Sequence, residues 1–406
     1  MSSHESEANT SACPVGRPCI GLILSGGGAR AAYQVGVLKA IADLLPEGAS
    51  NPFPIICGTS AGAINGAVLA INADHYRLAV RRLMRVWTNF HTHHVFRSDP
   101  IGIAKSGAHW VAAMLFGGLG RYNPHALLDR TPLAQLLNRF VDCARIQDSI
   151  DKGHVRAFSV TAAGYSSGES VVFYQGAPDL KPWRRARRVG SPASIGLQHL
   201  MASSAIPYVF PAVRINREYF GDGSMRQIAP ISPALHLGAQ KVLVIGVRRD
   251  DEAPAERVRS DDYPSMAQIA GYVLDSIFLD SLETDLERLQ RINKTVALIP
   301  EEHLGEGKVT LRGVDVLVIS PSEDLQLIAA RYMKELPWSV RLLLRGVGAL
   351  KKNGSNLVSY LLFERGYCQE LIDLGYKDTI ARADEVRTFM VGQSANNAAP
   401  VASVSS

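Results

Sequence analysis

The run Phe53-Pro54-Ile55-Ile56-Cys57 leads directly into Gly58-Thr59-Ser60-Ala61-Gly62 and then into Ala63-Ile64-Asn65-Gly66-Ala67-Val68. An apolar stretch of strand length that ends in Gly-x-Ser-x-Gly and opens into small residues at helical spacing has few ways to fold. It predicts a strand that turns sharply into a helix, with Ser60 on the turn and its hydroxyl exposed at the carboxyl edge of a sheet, the geometry of a nucleophile elbow. Gly58 and Gly62 suit the crowding of such a turn, and the following helix N-terminus favours an anion developing beside Ser60. The pattern recurs at Gly164-Tyr165-Ser166-Ser167-Gly168. There it lies between two β-like runs, Val155 to Ala162 and Glu169 to Tyr174, where Gly and Ser read as a hairpin turn.

A second strand, loop and helix precede the first. Cys19-Ile20-Gly21-Leu22-Ile23-Leu24 reads as a buried strand, Ser25-Gly26-Gly27-Gly28-Ala29-Arg30 as a loop, and Ala31 to Leu45 as a helix with Tyr33, Val37, Leu38 and Ile41 on one side. Successive glycines let backbone N–H groups converge on one anion, and the helix dipole reinforces them. Two ligands suit the loop. Gly26-x-Gly28-x-x-Ala31 fits a dinucleotide fingerprint, although the acid at the expected distance, Glu47, falls inside Pro46-Glu47-Gly48-Ala49-Ser50, before the next strand begins. The other ligand is the oxyanion of an acyl-transfer intermediate at Ser60, since neighbouring β–α turns of a parallel sheet open on the same edge. Downstream, Glu218-Tyr219-Phe220-Gly221-Asp222-Gly223-Ser224 sets Asp222 on a tight turn, as a catalytic carboxylate or as a plain Asp-Gly turn.

Composition narrows the function classes. The 406 residues are 47 % apolar and 20 % charged, enough for one large core or two modest ones. A net charge of +5, from 43 basic against 38 acidic residues, is too mild for a nucleic-acid binder. Two local clusters, Arg81, Arg82 and Arg85 at helical spacing, and Arg184, Arg185, Arg187 and Arg188 beside Trp183, fit either a solvated face or contact with anionic headgroups. Cys13, Cys19, Cys57, Cys143 and Cys368 form an odd set without paired short spacing, which predicts neither a disulfide framework nor a zinc site. Together with the polar stretch Met1 to Arg17, this leads to an expectation of a reducing cytosol.

The remaining segments supply scaffolding. His91, His93 and His94 read as a polar loop, because no carboxylate or cysteine joins them at ligand spacing. The window Ile101 to Gly120 contains Lys105, His109 and five glycines and falls short of a membrane span; its part Trp110 to Phe116 suits a lid, an interfacial helix or a core helix. Asp129-Arg130-Thr131-Pro132 opens another helix. Lys241 to Val247, Thr295 to Ile299 and Val314 to Ile319 read as strands, Asp262 to Ile292 as a long amphipathic helix, and Pro337 to Tyr376 as helical.

Taken in order, Gly26-Gly27-Gly28-Ala29-Arg30, Gly58-Thr59-Ser60-Ala61-Gly62, the stretch Ala202 to Pro211 and Asp222-Gly223 resemble the motifs of the patatin-like phospholipases. The resemblance implies a three-layer α/β/α fold, with a mostly parallel central sheet and a helical C-terminal extension. It implies a disordered N-terminus at 1–18, a catalytic domain at 19–250, a mainly helical extension packed on it at 251–390, and a disordered tail at 391–406. It also implies a serine–aspartate dyad, with Ser60 as nucleophile, Asp222 as its partner, and an oxyanion hole at Gly26, Gly27, Gly28 and Arg30. Gly58, Gly62 and Gly223 are then motif glycines, Arg30 either adds positive charge at the hole or anchors the loop, and His199 is structural. No metal and no cofactor is implied. Two positions depart from the family's habit: Ala31, where glycine is common, and Ser224, where glycine or alanine is common.

The implied activity is hydrolysis of a lipid or phospholipid acyl ester, of phospholipase A or lysophospholipase type. The expected setting is the cytoplasm, with peripheral contact at the inner membrane face and no nucleic-acid partner, and the oligomeric state stays open. Two alternatives stand beside it. The same dyad serves an acyltransferase or a hydrolase of another ester, storage polyesters included, and the glycine loop alone serves a nucleotide-binding regulatory module.

Overall fold

Strand β1, Ile20–Leu24, is buried along its whole length, and a strand buried on both faces needs a layer of helices on each. The computed structural model describes residues 13, 18–116, 125–249, 265–278, 280–299, 312–346, 348–349 and 355–391. Among them ten strands form one sheet. After β1 come β2 (Ile55–Thr59), β3 (Ala157–Gly164), β4 (Ser170–Gly176), β5 (Trp183–Arg185), β6 (Arg188–Pro192), β7 (Val213–Ile215), β8 (Glu218–Asp222), β9 (Lys241–Ile245) and β10 (Asp315–Ile319). The order across the sheet is β10-β9-β1-β2-β3-β4-β6-β5, with β8 on β3 and β7 on β8. From β10 to β3 every neighbour is parallel, and β4 then returns antiparallel along β3.

Strand alternation sends the two faces into different cores. Leu22, Leu24, Ile56, Leu243 and Ile245 point into the larger core, beneath helices Ala32–Leu44, Ala61–Ala70, Tyr76–Trp87 and Arg365–Ala381. Ile23, Ile55, Cys57, Val242 and Val244 fill the other, with Ala234 of helix Ser232–His236 and Leu289 of helix Asp280–Ala297. The result is the three-layer α/β/α arrangement, mostly parallel, that the motifs imply.

The C-terminal region is tied to this frame at several places, two of them through whole elements. β10 extends the sheet in register with β9, from Asp315 beside Lys241 to Ile319 beside Ile245. Helix Arg365–Ala381 lies directly on helix Ala32–Leu44: a Cβ on Gly36 would stand 1.9 Å from the Ile372 carbonyl oxygen, and one on Gly375 2.2 Å from that of Tyr33. Backbone therefore meets backbone, and Tyr33 Oη closes the contact by donating to Asp378 at 3.0 Å.

Three expectations fail. Thr295 to Ile299 is not a strand, because helix Asp280–Ala297 runs into it and a turn follows. Thr295 and Val296 favour a strand locally, but Leu289 and Val296 are buried two helical turns apart, so packing overrides propensity. Cys13 and Cys19 are disulfide-bonded, with Cα atoms 5.2 Å apart, inside the range a bridge spans. An odd total concealed one pair, and the cysteine count no longer argues for a reducing cytosol.

The polar loop expected at His91, His93 and His94 is instead a helical turn, Thr92–Val95, that His91 opens. Gly164–Gly168 is the turn between β3 and β4, with Gly168 at φ 64°. The long helical region resolves into Met266–Phe278 and Asp280–Ala297. Pro100–Leu115 is a helix, and among the described residues no helix is long and apolar enough to cross a membrane. The expectations for residues 1–12, 14–17, 117–124, 250–264, 279, 300–311, 347, 350–354 and 392–406 lie outside the described residues.

Candidate active site

β2 ends at Thr59 and helix Ala61–Ala70 begins one residue later, so Ser60 carries the entire change of direction at φ 54° and ψ −128°. A positive φ on a non-glycine residue is strained and is sustained by its surroundings. Here the surroundings are identifiable. The Ser60 amide donates to Ser203 Oγ at 2.8 Å, and that hydroxyl donates to the Thr161 carbonyl of β3 at 2.6 Å. A Cβ on Gly62 would stand 2.2 Å from the Leu24 carbonyl oxygen, which lets the elbow press against the end of β1.

Sheet register brings Asp222 to the same place. β2 pairs with β3 from Ala157 to Thr161 and then turns away at Ser60. β4 occupies the opposite edge of β3 up to Ala163, so β8 takes over the edge that β2 leaves, pairing Ala162 with Asp222. Thr59 and Asp222 are thus held at consecutive positions of one edge, with Ser60 next in the chain.

The Asp222 carboxylate is completely buried. Its Oδ1 accepts from the Ser224 amide at 3.0 Å, and its Oδ2 has no full hydrogen bond. Burial pushes its pKa up to about 6, while the Ser60 hydroxyl, the Ser224 amide and hydroxyl, and the Arg130 charge pull it down. Ser224, one of the two departures from the family's habit, therefore adds a polar group beside this carboxylate.

The glycine loop lies across from the elbow. Gly28 adopts φ 55°, which glycine takes without strain, and a Cβ there would stand 2.3 Å from the Tyr360 carbonyl oxygen. The amides of Gly27 and Gly28 donate to no acceptor among the described residues. Gly28 lines the same cavity as Ser60 and Ala61, whereas Gly26 lines a small one with Thr59 and Ser224. The Arg30 side chain points away, toward the C-terminal helices. Its Nε donates to Ser359 at 2.9 Å, Nη2 to Asn356 at 2.6 Å and Nη1 to Asp275 at 3.3 Å, and the guanidinium lies 4.0 Å from the Tyr360 ring centre. Of the two roles open to Arg30 in the sequence, the guanidinium occupies the anchoring one.

From Ser60 a cavity of about 340 Å³ runs outward between three helices. Ala61–Ala70 contributes Ile64 and Val68, Thr131–Phe140 contributes Leu133 and Leu137, and Tyr76–Trp87 runs alongside with Trp87 Nε1 on Asn65 Oδ1 at 2.9 Å. The walls are predominantly apolar, with Ser60 and Asn65 toward the inner end and Arg82, Arg85 and Arg139 also among the lining residues, as in sites that bind an apolar ligand and orient one reactive group.

The family model for patatin-like phospholipases matches residues 22–235, more than half of the chain. The chain belongs to that family. The matched span contains the glycine loop, Ser60 and Asp222. Over 55 residues this patatin-like chain is 54 % identical to the lysophospholipase nte1 of Aspergillus terreus (strain NIH 2624 / FGSC A1156) and 51 % identical to that of Aspergillus oryzae (strain ATCC 42149 / RIB 40). Those stretches are 14 % of this chain and 3 % of either relative, so the chain matches only a small part of their length. The solved structure of VipD from Legionella pneumophila aligns with 91 % of this chain and 67 % of its own, at 13 % identity and a TM-score of 0.34.

Three residues at the patatin-like site escaped the sequence. Ser203 lay inside a quoted motif without a role, and only the β3 register gives it one. Ser224 was noted as a departure alone. Arg130, which opens helix Thr131–Phe140, is 3 % exposed and donates to the carbonyls of Met201 and Pro211 and to Ser204 Oγ. It lies 92 residues before Asp222 in the chain, and no local signal links the two. His199 accepts from the Gly196 amide and packs edge-on to Phe173. His91 meets Glu364 at 2.9 Å, and among the described residues no group of three or more potential ligands is arranged to hold a metal.

Proposed function

We propose that the protein is a serine hydrolase of lipid acyl esters, with Ser60 as nucleophile and Asp222 as its base. One observation carries the reading. A serine strained on an elbow opens onto the inner end of an apolar channel, and behind it lies a buried carboxylate, raised to about 6, that its hydroxyl reaches. An ordinary aspartate, with a pKa near 3.9, is a poor base at neutral pH, whereas a value of about 6 approaches that of imidazole.

The steps follow from the groups present. Ser60 Oγ attacks the ester carbonyl and its proton passes to Asp222 Oδ2. Negative charge on the former carbonyl oxygen is met by the amides of Gly27 and Gly28 and by that of Ala61 at the helix start, each such donor being worth roughly 3 kcal/mol. Collapse expels the alcohol, which takes the proton back from Asp222. Water then adds to the acyl-enzyme by the same route, releasing the fatty acid and restoring Ser60. Every step is assigned to protein groups, so turnover is expected to survive a metal chelator.

The acyl chain lies along Ile64, Val68, Leu133 and Leu137, and a single channel suits esters that present one chain at a time, as lysophospholipids do. We take residues 251–390 to belong to the catalytic unit, because Asp275, Asn356 and Ser359 hold the arginine that follows the oxyanion loop. The test is fatty-acid release from lysophosphatidylcholine and from diacyl phospholipids by wild type and by Ser60→Ala. Release that persists in a folded Ser60→Ala protein would end this reading; transfer of the acyl group to an added alcohol in place of release would recast it as an acyltransferase.

A further inference from the structure

The outer end of the channel carries a chemistry that ester cleavage at Ser60 does not use. Helix direction identifies that end. Ala61–Ala70 climbs away from Ser60 at about 1.5 Å per residue, and Val68 still lines the cavity. Thr131–Phe140 likewise starts beside Arg130 and finishes at Arg139 and Phe140, which also line it. On the third helix Arg82 and Arg85 precede Trp87, the residue level with Asn65.

Arg82, Arg85 and Arg139 are all exposed there, and Phe140 stands 53 % exposed among them. None of the three pairs with an acid among the described residues. Arg82 donates to Asn72 Oδ1, Arg139 lies 5.7 Å from the Phe140 ring centre, and Arg85 has no side-chain partner there. Asp142, the acid next in sequence, turns Oδ1 to the Ala144 amide. The other basic cluster differs. Arg184 pairs with Glu169 at 2.7 Å and Arg185 folds onto the Arg184 carbonyl.

We propose that this mouth docks on an anionic lipid bilayer, with Arg82, Arg85 and Arg139 on lipid phosphates and Phe140 in the acyl boundary. Guanidinium groups pair with phosphate by two parallel hydrogen bonds, and an aromatic side chain beside them adds apolar burial at the interface. A lipid chain then passes between bilayer and channel without crossing water. The assignment rests on the ester-hydrolase reading for its purpose. Each arginine is expected to strengthen partitioning onto an anionic surface roughly fivefold.

The test uses the full chain carrying Ser60→Ala, so that binding is read without turnover, with folding checked by thermal melting. It is sedimented with vesicles of phosphatidylcholine, with and without phosphatidylglycerol. Binding is expected only to the anionic vesicles and should weaken with salt. Adding Arg82→Ala, Arg85→Ala and Arg139→Ala should reduce it roughly a hundredfold. The control triple Arg184→Ala, Arg185→Ala and Arg187→Ala removes the same charge and should keep it. Equal losses in both triples, no loss in the mouth triple, or no binding by a folded protein would each overturn the proposal. Fluorophosphonate labelling of the wild type reports on Ser60 independently, so the two readings fail separately.

Discussion

Two arginines, 2 % and 3 % exposed, flank the candidate site and are held in opposite ways. Arg30 sits in a network of Asp275, Asn356, Ser359 and Tyr360, drawn from two C-terminal helices. Arg130 has carbonyls and one hydroxyl, and the acid that feels its charge is Asp222. Burial works against the charge of both. At Arg30 it is outweighed by Tyr360 and Asp275, and the pKa is raised. At Arg130 only Asp222 opposes it, and the pKa falls to about 10. The difference divides the labour: Arg30 ties the glycine loop to the C-terminal helices, and Arg130 adds a small opposing pull to the burial that raises the Asp222 carboxyl.

Replacing the base itself should have the largest effect. Asp222→Asn is expected to lower kcat by about a thousandfold or more, as loss of a general base does. It should also stabilise the protein. Asp222 binds its proton more tightly folded, at about 6, than at its ordinary 3.8, so the wild type loses stability as pH rises through that window and does not regain it above. The variant should exceed the wild type by at most about 3 kcal/mol at pH 8, with the gap closing toward pH 4, read by denaturant unfolding. In the wild type kcat/KM should rise with pH through about 6 and then level.

Arg30→Met should come next and act on stability. It leaves Asp275 without its cation, a loss of about 3 kcal/mol in denaturant unfolding, and any protein that folds should turn over slowly with the same pH midpoint. Arg130→Met sharpens the contrast, because it orphans buried carbonyls at a cost of about 2 kcal/mol and also removes the charge that Asp222 feels, so the kcat/KM midpoint should move upward, by well under one unit. If Arg130→Met left the midpoint unmoved, or Arg30→Met moved it as far, the division between the two arginines would be wrong. Ser203→Ala is the smallest expected change, about 1 kcal/mol of stability and under tenfold in kcat, from one lost hydrogen bond to the elbow.

What the sequence disclosed and what it hid follow the same division. The elbow, the glycine loop and the β3–β4 hairpin were legible because glycine, serine and apolar runs act within a few residues of one another. The Arg30 network was not, since Asn356 and Ser359 lie more than three hundred residues away and are brought close by tertiary contacts such as the crossing of Arg365–Ala381 on Ala32–Leu44. Arg130 read as a helix start because its target lies on another strand edge. Thr295 to Ile299 misled for the converse reason: its local preference was real and was overruled by a helix face that begins fifteen residues earlier. Asp222 stood between, readable as a turn from its neighbours and as a base only from the order of motifs.

The central claim is that Asp222 activates Ser60, and the most direct measurement is the rate of fluorophosphonate labelling against pH. Intact mass and peptide mapping are followed for wild type, Ser60→Ala and Asp222→Asn. A single adduct on Ser60, forming faster as pH rises through about 6, absent in the alanine variant and slow at every pH in the asparagine variant, is the expected result. Labelling of Ser60 at one rate in wild type and Asp222→Asn alike, or an adduct on another residue of a folded protein, would contradict it.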